Sequence, residues 1–141
     1  VPILIRTFQF PDDYDGCAQI WKNSKPGVTF NRSDESPEII KKQGYSPELI
    51  LVAVDNGRII GTVIGGFDGR RGMIYHLAVL TEYQKHGTGK ALLHEVEKRL
   101  QDIGCLKVYL MVTHDNASIV PYYENEGWHK HDVIIMAKEL G

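Results

Sequence analysis

Apolar and polar positions along the chain switch between two periods, and the switches predict its elements. Val1 to Phe8 (VPILIRTF) is a short apolar run that reads as a first strand. Between Pro11 and Asn23, the apolar residues Tyr14, Cys17, Ala18 and Trp21 recur at helical spacing and predict a helix. Ser24 to Ser36 is rich in Pro, Gly, Ser, Asn and Asp and reads as a loop. Ser36 ahead of Pro37, Ile39 and Ile40 then suits a short helix capped by Ser36, with Pro at its first position and Gly44 as its stop.

The strongest local signal follows. Leu49 to Asp55 and Arg58 to Phe67 flank Asn56-Gly57, the favoured pair for a tight type I′ hairpin. Asp68-Gly69 leads through Arg70 and Arg71 into a third strand, Gly72 to Leu80, so three antiparallel strands are expected in succession. Gly61, Gly65 and Gly66 mark the middle strand as weakened, bulged or closely approached by other backbone. Next, Leu92, Leu93, Val96, Leu100 and Ile103 line one face of a helix that Gly104 ends. Leu106 to Thr113 reads as a strand, Ser118 to Asn125 as a helix and Val133 to Leu140 as a last strand. With Ser118 as N-cap, Pro121 falls at N3, where no intrahelical bond is lost. The expected class is α+β (mixed α/β), a mainly antiparallel sheet with helices packed on it, in a single domain over residues 1–141.

Composition narrows the function classes. The 141 residues carry 16 basic and 18 acidic side chains, a net charge of −2, so there is no broad nucleic-acid footprint. Any anionic ligand must be held by local chemistry. No apolar run has the length of a membrane helix, and the N-terminus lacks a charged-then-apolar signal pattern. Cys17 and Cys105 share no short spacing, which signals neither a redox motif nor a zinc site and suits two thiols in a reducing cytoplasm. The histidines show no HExxH spacing, His129-Lys130-His131 reads as a polar turn, and there is no GxSxG elbow.

Candidate chemistry concentrates at Gly87-Thr88-Gly89, where the long amphipathic helix should start. A helix N-terminus offers unpaired backbone N–H groups and the positive end of the macrodipole. Glycines remove the side chains that would hold an anion away from them. Two familiar phosphate loops are excluded. The Walker pattern needs a glycine and a hydroxyl residue where Gln84 and Ala91 stand, and the dinucleotide fingerprint needs Gly or Ala where Leu92 stands.

Gln84-Lys85-His86-Gly87-Thr88-Gly89 resembles the Q/R-x-x-G-x-G/A motif of the GNAT superfamily of N-acetyltransferases. A strand ending Leu77-Ala78-Val79 precedes it and an amphipathic helix follows. Downstream, Asn116, Tyr123, Gly127 and Trp128 are similar to the family's second signature, and the likeness spans essentially the whole chain. The Gly65 to Gly72 hairpin resembles that of small, poorly characterised bacterial members. The resemblance implies a GNAT-like splayed sheet of about six to seven strands with about four helices. It implies acetyl-CoA as co-substrate and no metal. The pyrophosphate would lie on the backbone N–H groups of Gln84, Lys85, His86, Gly87, Thr88, Gly89 and Lys90, and the pantetheine arm on Asn116 and the backbone of Leu77 and Val79. It further implies a cleft between Leu77-Ala78-Val79 and Tyr109 to Val112.

Tyr123 matches the tyrosine that many members use to protonate the departing thiolate. Read as residues alone, Asn116 equally suits an Asx turn closing the strand, and Tyr123 a half-buried packing residue. Where several members place a carboxylate base, this chain has Tyr75 and Met111. His76, His114 and Glu82 are further candidates, although strand alternation turns His76 to the face opposite Tyr75. The implied reaction is acetyl transfer to a primary amine. The alternative is a non-catalytic acyl-CoA-binding or regulatory module. Phe30, Asp34 and Glu35 either line an acceptor pocket or belong to a solvated loop. The resemblance allows a homodimer and leaves the acceptor open.

Overall fold

The hairpin chemistry of the sequence is realised in the computed structural model, which describes residues 3–141. Asn56 and Gly57 both adopt positive φ, +49° and +80°, as a type I′ turn requires. They join β2 (Ile50–Asp55) to β3 (Arg58–Phe67), and the Asp68 turn leads on to β4 (Gly72–Val79). There, Asp68 Oδ1 accepts the N–H groups of Arg70 and Arg71 at 2.7 and 2.8 Å. β1 (Leu4–Thr7) pairs with β2, and β5 (Val108–Tyr109) with β4. The sheet order is β1-β2-β3-β4-β5, antiparallel except for the parallel β4–β5 pair.

Both faces of this sheet are covered, so β2 is apolar from Ile50 to Val54 rather than alternating. On one face, Ile50, Val52 and Val54 pack with Trp21, Cys17 and Ile20 of α1 (Tyr14–Lys22) and Ile39 of α2 (Ser36–Tyr45). On the other, Leu51 and Ala53 pack with Leu92, Leu93, Val96 and Leu100 of α3 (Thr88–Asp102). α3 carries the chain from β4 across to the parallel β5, and α4 (Val120–Asn125) follows a 3₁₀ turn at His114–Ile119.

The mixed α+β class and the three hairpin-linked strands hold, but the sheet has five strands among the described residues rather than six or seven. Val1 and Pro2 of the expected first strand lie outside those residues. β5 is two residues long where eight were expected, because its ladder with β4 ends at the Met73–Tyr109 pair. Val133 to Leu140 forms no strand. A strand requires a neighbouring edge as well as an apolar run, and the two residues of β5 offer too short a one. The side chains of Val133 to Met136 remain 64–89% exposed. Helix ends also move: Glu35, not Ser36, is the N-cap of α2, and Gly44 lies inside it. Ile119, not Ser118, precedes α4, putting Pro121 within its first two positions.

Irregularity concentrates in β4. Thr62 pairs with Ala78 and Ile64 with Tyr75, so Val63 alone opposes both His76 and Leu77. This is a β-bulge, and His76 occupies it with φ +55°, a left-handed conformation rare for a residue with a side chain. Buried Thr62 holds the bulge: its Oγ1 accepts Trp21 Nε1–H at 3.0 Å and donates to the His76 carbonyl at 2.8 Å. Thr62→Val keeps the shape and orphans both partners. It should destabilise the protein by about 2–4 kcal/mol in urea unfolding followed by tryptophan fluorescence. An unchanged midpoint would show that these bonds do not hold the bulge.

Candidate active site

The motif loop is fixed from below before it reaches the helix. Tyr83 Oη donates to Asp55 Oδ2 at 2.6 Å, tying the 3₁₀ turn Thr81–Tyr83 to the hairpin, and Gln84 Nε2 donates to the Val79 carbonyl at 2.9 Å. The Gln84 N–H is spent on the Thr81 carbonyl at 3.2 Å. Beyond it the chain turns sharply, with Lys85 at φ +65° and Gly87 at φ +86°. Gly87 is the N-cap of α3, and its carbonyl takes the first helical bond, from Ala91 N–H at 3.0 Å. The N–H groups of Lys85 through Lys90 have no backbone partner among the described residues, and no side chain caps the helix. A row of oriented donors thus opens at the positive end of a 15-residue helix.

Gly89 keeps that opening narrow but clear. A side chain there would begin 3.5 Å from Tyr122 Oη and 3.7 Å from Val79 Cγ2. Lys85, His86 and Lys90 are exposed around the loop. Lys90 Nζ lies 3.6 Å from Glu126 Oε2, and Glu126 also binds His94 Nε2 at 2.6 Å.

The loop adjoins an open sheet edge. Because β5 pairs only with Gly72 and Met73, the outer edge of β4 from Ile74 to Val79 has no strand neighbour among the described residues. Leu77 and Val79 lie on that stretch, with their side chains against the α3 core. Asn116, at the kink of the 3₁₀ turn after β5, packs its amide against the loop that follows α1: a side chain at Gly27 would meet Asn116 Nδ2 at 3.0 Å.

Tyr123 projects from α4 into the α3 side of the core, its ring 5.3 Å from Tyr122 and 6.2 Å from Trp128. Trp128 is anchored in turn, through Nε1, to Glu97 Oε2 at 3.0 Å. The Tyr123 hydroxyl makes no hydrogen bond among the described residues. Burial, with a smaller contribution from Tyr122, pushes its phenol up to about 12, so it stays protonated throughout the neutral range.

Of the two residues that stand where several family members carry a carboxylate base, Met111 is 58% exposed and Tyr75 38%. Burial, and then the Asp34 carboxylate, raises the Tyr75 phenol above its ordinary value. His114 is exposed, and exposed Glu82 pairs with Arg58 at 3.4 Å. His76 differs from the reading by alternation. The bulge turns it to the same face as Tyr75, where its ring lies 5.1 Å from Trp21 and 5.5 Å from Tyr75. Its Nε2 meets Asp34 Oδ1 at 2.7 Å. Asp34 is no solvated loop residue: it is 4% exposed and its Oδ2 accepts the Asn31 N–H at 2.9 Å. Regular alternation hides this pair, and only the bulge reveals it.

Both cysteines are free, and burial pushes the Cys17 thiol up to about 12. Among the described residues no three His, Cys, Asp or Glu side chains gather for a metal, and no helix is long and apolar enough to cross a membrane.

Comparison with known proteins places this geometry in a family. Residues 14–128 match the profile of the Acetyltransferase (GNAT) family. An acetyltransferase of Yersinia pestis (strain Pestoides F) is 38% identical over 136 residues, covering 96% of this chain and 94% of the relative. A second, from Pectobacterium atrosepticum, is 36% identical over the same shares. The fold is similar to that of the paiA N-acetyltransferase of Thermoplasma acidophilum, solved in complex with coenzyme A. That likeness has a TM-score of 0.79 at 20% identity, over 95% of this chain and 94% of that one. On the profile match over residues 14–128 and the relatives that span nearly all of its length, this chain belongs to the GNAT family of acetyltransferases.

Proposed function

We propose that this protein moves the acetyl group of acetyl-CoA directly to a primary amine. The observation that carries the reading is the run of unpartnered N–H groups from Lys85 to Lys90, set beside an unpaired stretch of β4. An extended, pyrophosphate-bearing thioester suits both at once. Its phosphates take the donors of His86, Gly87, Thr88, Gly89 and Lys90, with the Lys85 and Lys90 side chains adding positive charge, while Gln84 braces the loop through Val79. The pantetheine arm pairs with the backbone of Leu77 and Val79, and Asn116 closes over it.

The chemistry then needs two proton movements. An ammonium with a lysine-like pKa gives up a proton at a cost of about 4–5 kcal/mol at neutral pH. The amine attacks the thioester carbonyl, the C–S bond breaks, and the thiolate takes a proton from the Tyr123 phenol. The phenolate recovers one from the nitrogen of the collapsing adduct. Tyr123 suits this role because burial keeps its phenol protonated at neutral pH, and the uphill loan of that proton to the thiolate is offset by the proton the phenolate takes from the more acidic nitrogen of the adduct. Peptide N-termini, lysine side chains, polyamines, aminoglycosides and small metabolites all qualify as acceptors, and a homodimer is compatible with the fold.

Two measurements test the reading. In calorimetry, acetyl-CoA should bind and S-acetylpantetheine, which lacks the pyrophosphate and nucleotide, should bind at least about 100-fold more weakly. Equal affinities would remove the motif loop from the site. Tyr123→Phe should lower kcat/KM by about 100-fold or more from pH 7 to pH 9 and leave acetyl-CoA affinity unchanged, whereas Tyr122→Phe should spare turnover. Unaltered turnover in Tyr123→Phe would rule out its acid role.

A further inference from the structure

The bulge in β4 places an imidazole against a buried carboxylate. Asp34 reaches His76 from the 3₁₀ turn Arg32–Asp34, across 42 residues of sequence, and both its oxygens are engaged: Oδ1 by His76 Nε2 and Oδ2 by the Asn31 N–H. The turn is itself tied to α1, since Tyr14 Oη donates to the Asp34 carbonyl oxygen at 2.8 Å. An ionised Asp34 only accepts, so Nε2 carries the proton and the lone pair of the neutral ring lies on Nδ1. Nδ1 has no hydrogen-bond partner among the described residues. No fully buried polar side-chain atom in them lacks one, so Nδ1 reaches solvent even though the side chain is only 14% exposed.

Three further features argue that the pair is more than a structural tie. A left-handed backbone costs a side-chain-bearing residue about 1–2 kcal/mol, and such strain persists where the surroundings enforce it and clusters at functional sites. The strain here serves to put Tyr75 and His76 side by side on one face. Their position is on the stretch of β4 whose outer edge is open, one residue before Leu77. Lastly, the groups facing the imidazole are few: Asp34 from the 3₁₀ turn, the Tyr75 phenol from β4 itself and the uncharged Trp21 ring from α1. No Lys or Arg is paired with Asp34, whose carboxylate is thereby left to orient the histidine.

We infer that His76, held by Asp34, is the base that takes the first proton from the acceptor's ammonium group at Nδ1, directly or through one water. The inference rests on the transferase reading above. The step balances without an added reagent: R–NH3+ and neutral imidazole become R–NH2 and imidazolium, and His76 later returns its proton to solvent. Over the cycle R–NH3+ and acetyl-CoA give the acetamide, CoA thiol and one released proton. Asp34 is a positioning residue, acting through His76.

His76→Asn is the informative variant, since asparagine tolerates the left-handed backbone and removes the basic ring nitrogen. CoA release would be followed with butylamine, spermidine and a lysine-bearing peptide as acceptors, from about pH 6 to pH 10. Expected are a fall in kcat/KM of about 10²–10⁴, an ascending limb displaced toward the ionisation of the amine itself, partial recovery with added imidazole, and an acetyl-CoA Kd within about twofold of wild type. Asp34→Asn should lower kcat/KM by about tenfold or more with the same acetyl-CoA Kd. A His76→Asn profile of unchanged shape, at whatever activity, overturns the assignment while leaving the transferase reading intact. A wild-type protein that binds acetyl-CoA but releases no thiol with any of these amines defeats the transferase reading, and the base with it.

Discussion

The structure turns on the backbone of β4 at His76, a bulge that a regular strand would not contain. A left-handed residue in the middle of a sheet is unfavourable by itself, and here two hydrogen-bonded ties oppose the cost. Thr62 ties the His76 carbonyl to the Trp21 indole, and Asp34 ties its imidazole to the loop beyond α1. Each such bond contributes about 1 kcal/mol net, more where a charge is involved, enough to hold the conformation. Both ties come from the α1 side of the sheet, while Leu77 and Val79 just beyond pack toward α3. β4 is therefore gripped from both faces and along its β3 edge. Beyond the β5 pairing at Gly72 and Met73, its other edge has no strand neighbour among the described residues.

That free edge and the motif loop solve one problem together. A protein with a net charge of −2 does not attract a polyanion by bulk electrostatics. In the proposed reading peptide dipoles do that work: Gly87 is the N-cap of α3 with no capping side chain, and the first N–H groups of the helix have no partner among the described residues. The nearby Lys90 is shared with Glu126, which is itself held by His94, so the loop's charge is partly balanced. An anion arriving at the loop competes with a single long ion pair, exposed at its lysine end and largely covered at its carboxylate.

How much of this was legible in the sequence follows from what each feature depends on. Asn56-Gly57 and the α3 stripe are local chemistry, and both form where the residues place them. The motif is legible for the same reason, because a helix start is a property of a few adjacent residues. The Val133 to Leu140 run misleads because its fate depends on whether another edge is present to pair with it, and β5 ends after two residues. His76 is the converse case. Period-2 alternation assigns it to the wrong face, and nothing in Tyr75-His76-Leu77 announces a bulge. The signal lies in Thr62 and Asp34, far apart in sequence and polar in a buried setting, and it has meaning only once the fold brings them to one strand.

The division of faces also bears on the proposed proton transfers. Tyr123 packs on the α3 side, where burial keeps its phenol protonated. His76 lies on the α1 side against Trp21. An acid that must keep its proton until the thiolate forms, and a base that must be empty when the ammonium arrives, are poor neighbours: direct contact would favour premature exchange between them. His76 on β4 and Tyr123 on α4 stand on opposite sides of the sheet, so in the proposed reaction the base and the acid approach the thioester from different sides. The bulge makes this arrangement compatible with a sheet, since it turns a side chain toward the acceptor face from a position where alternation would have sent it to join Tyr123.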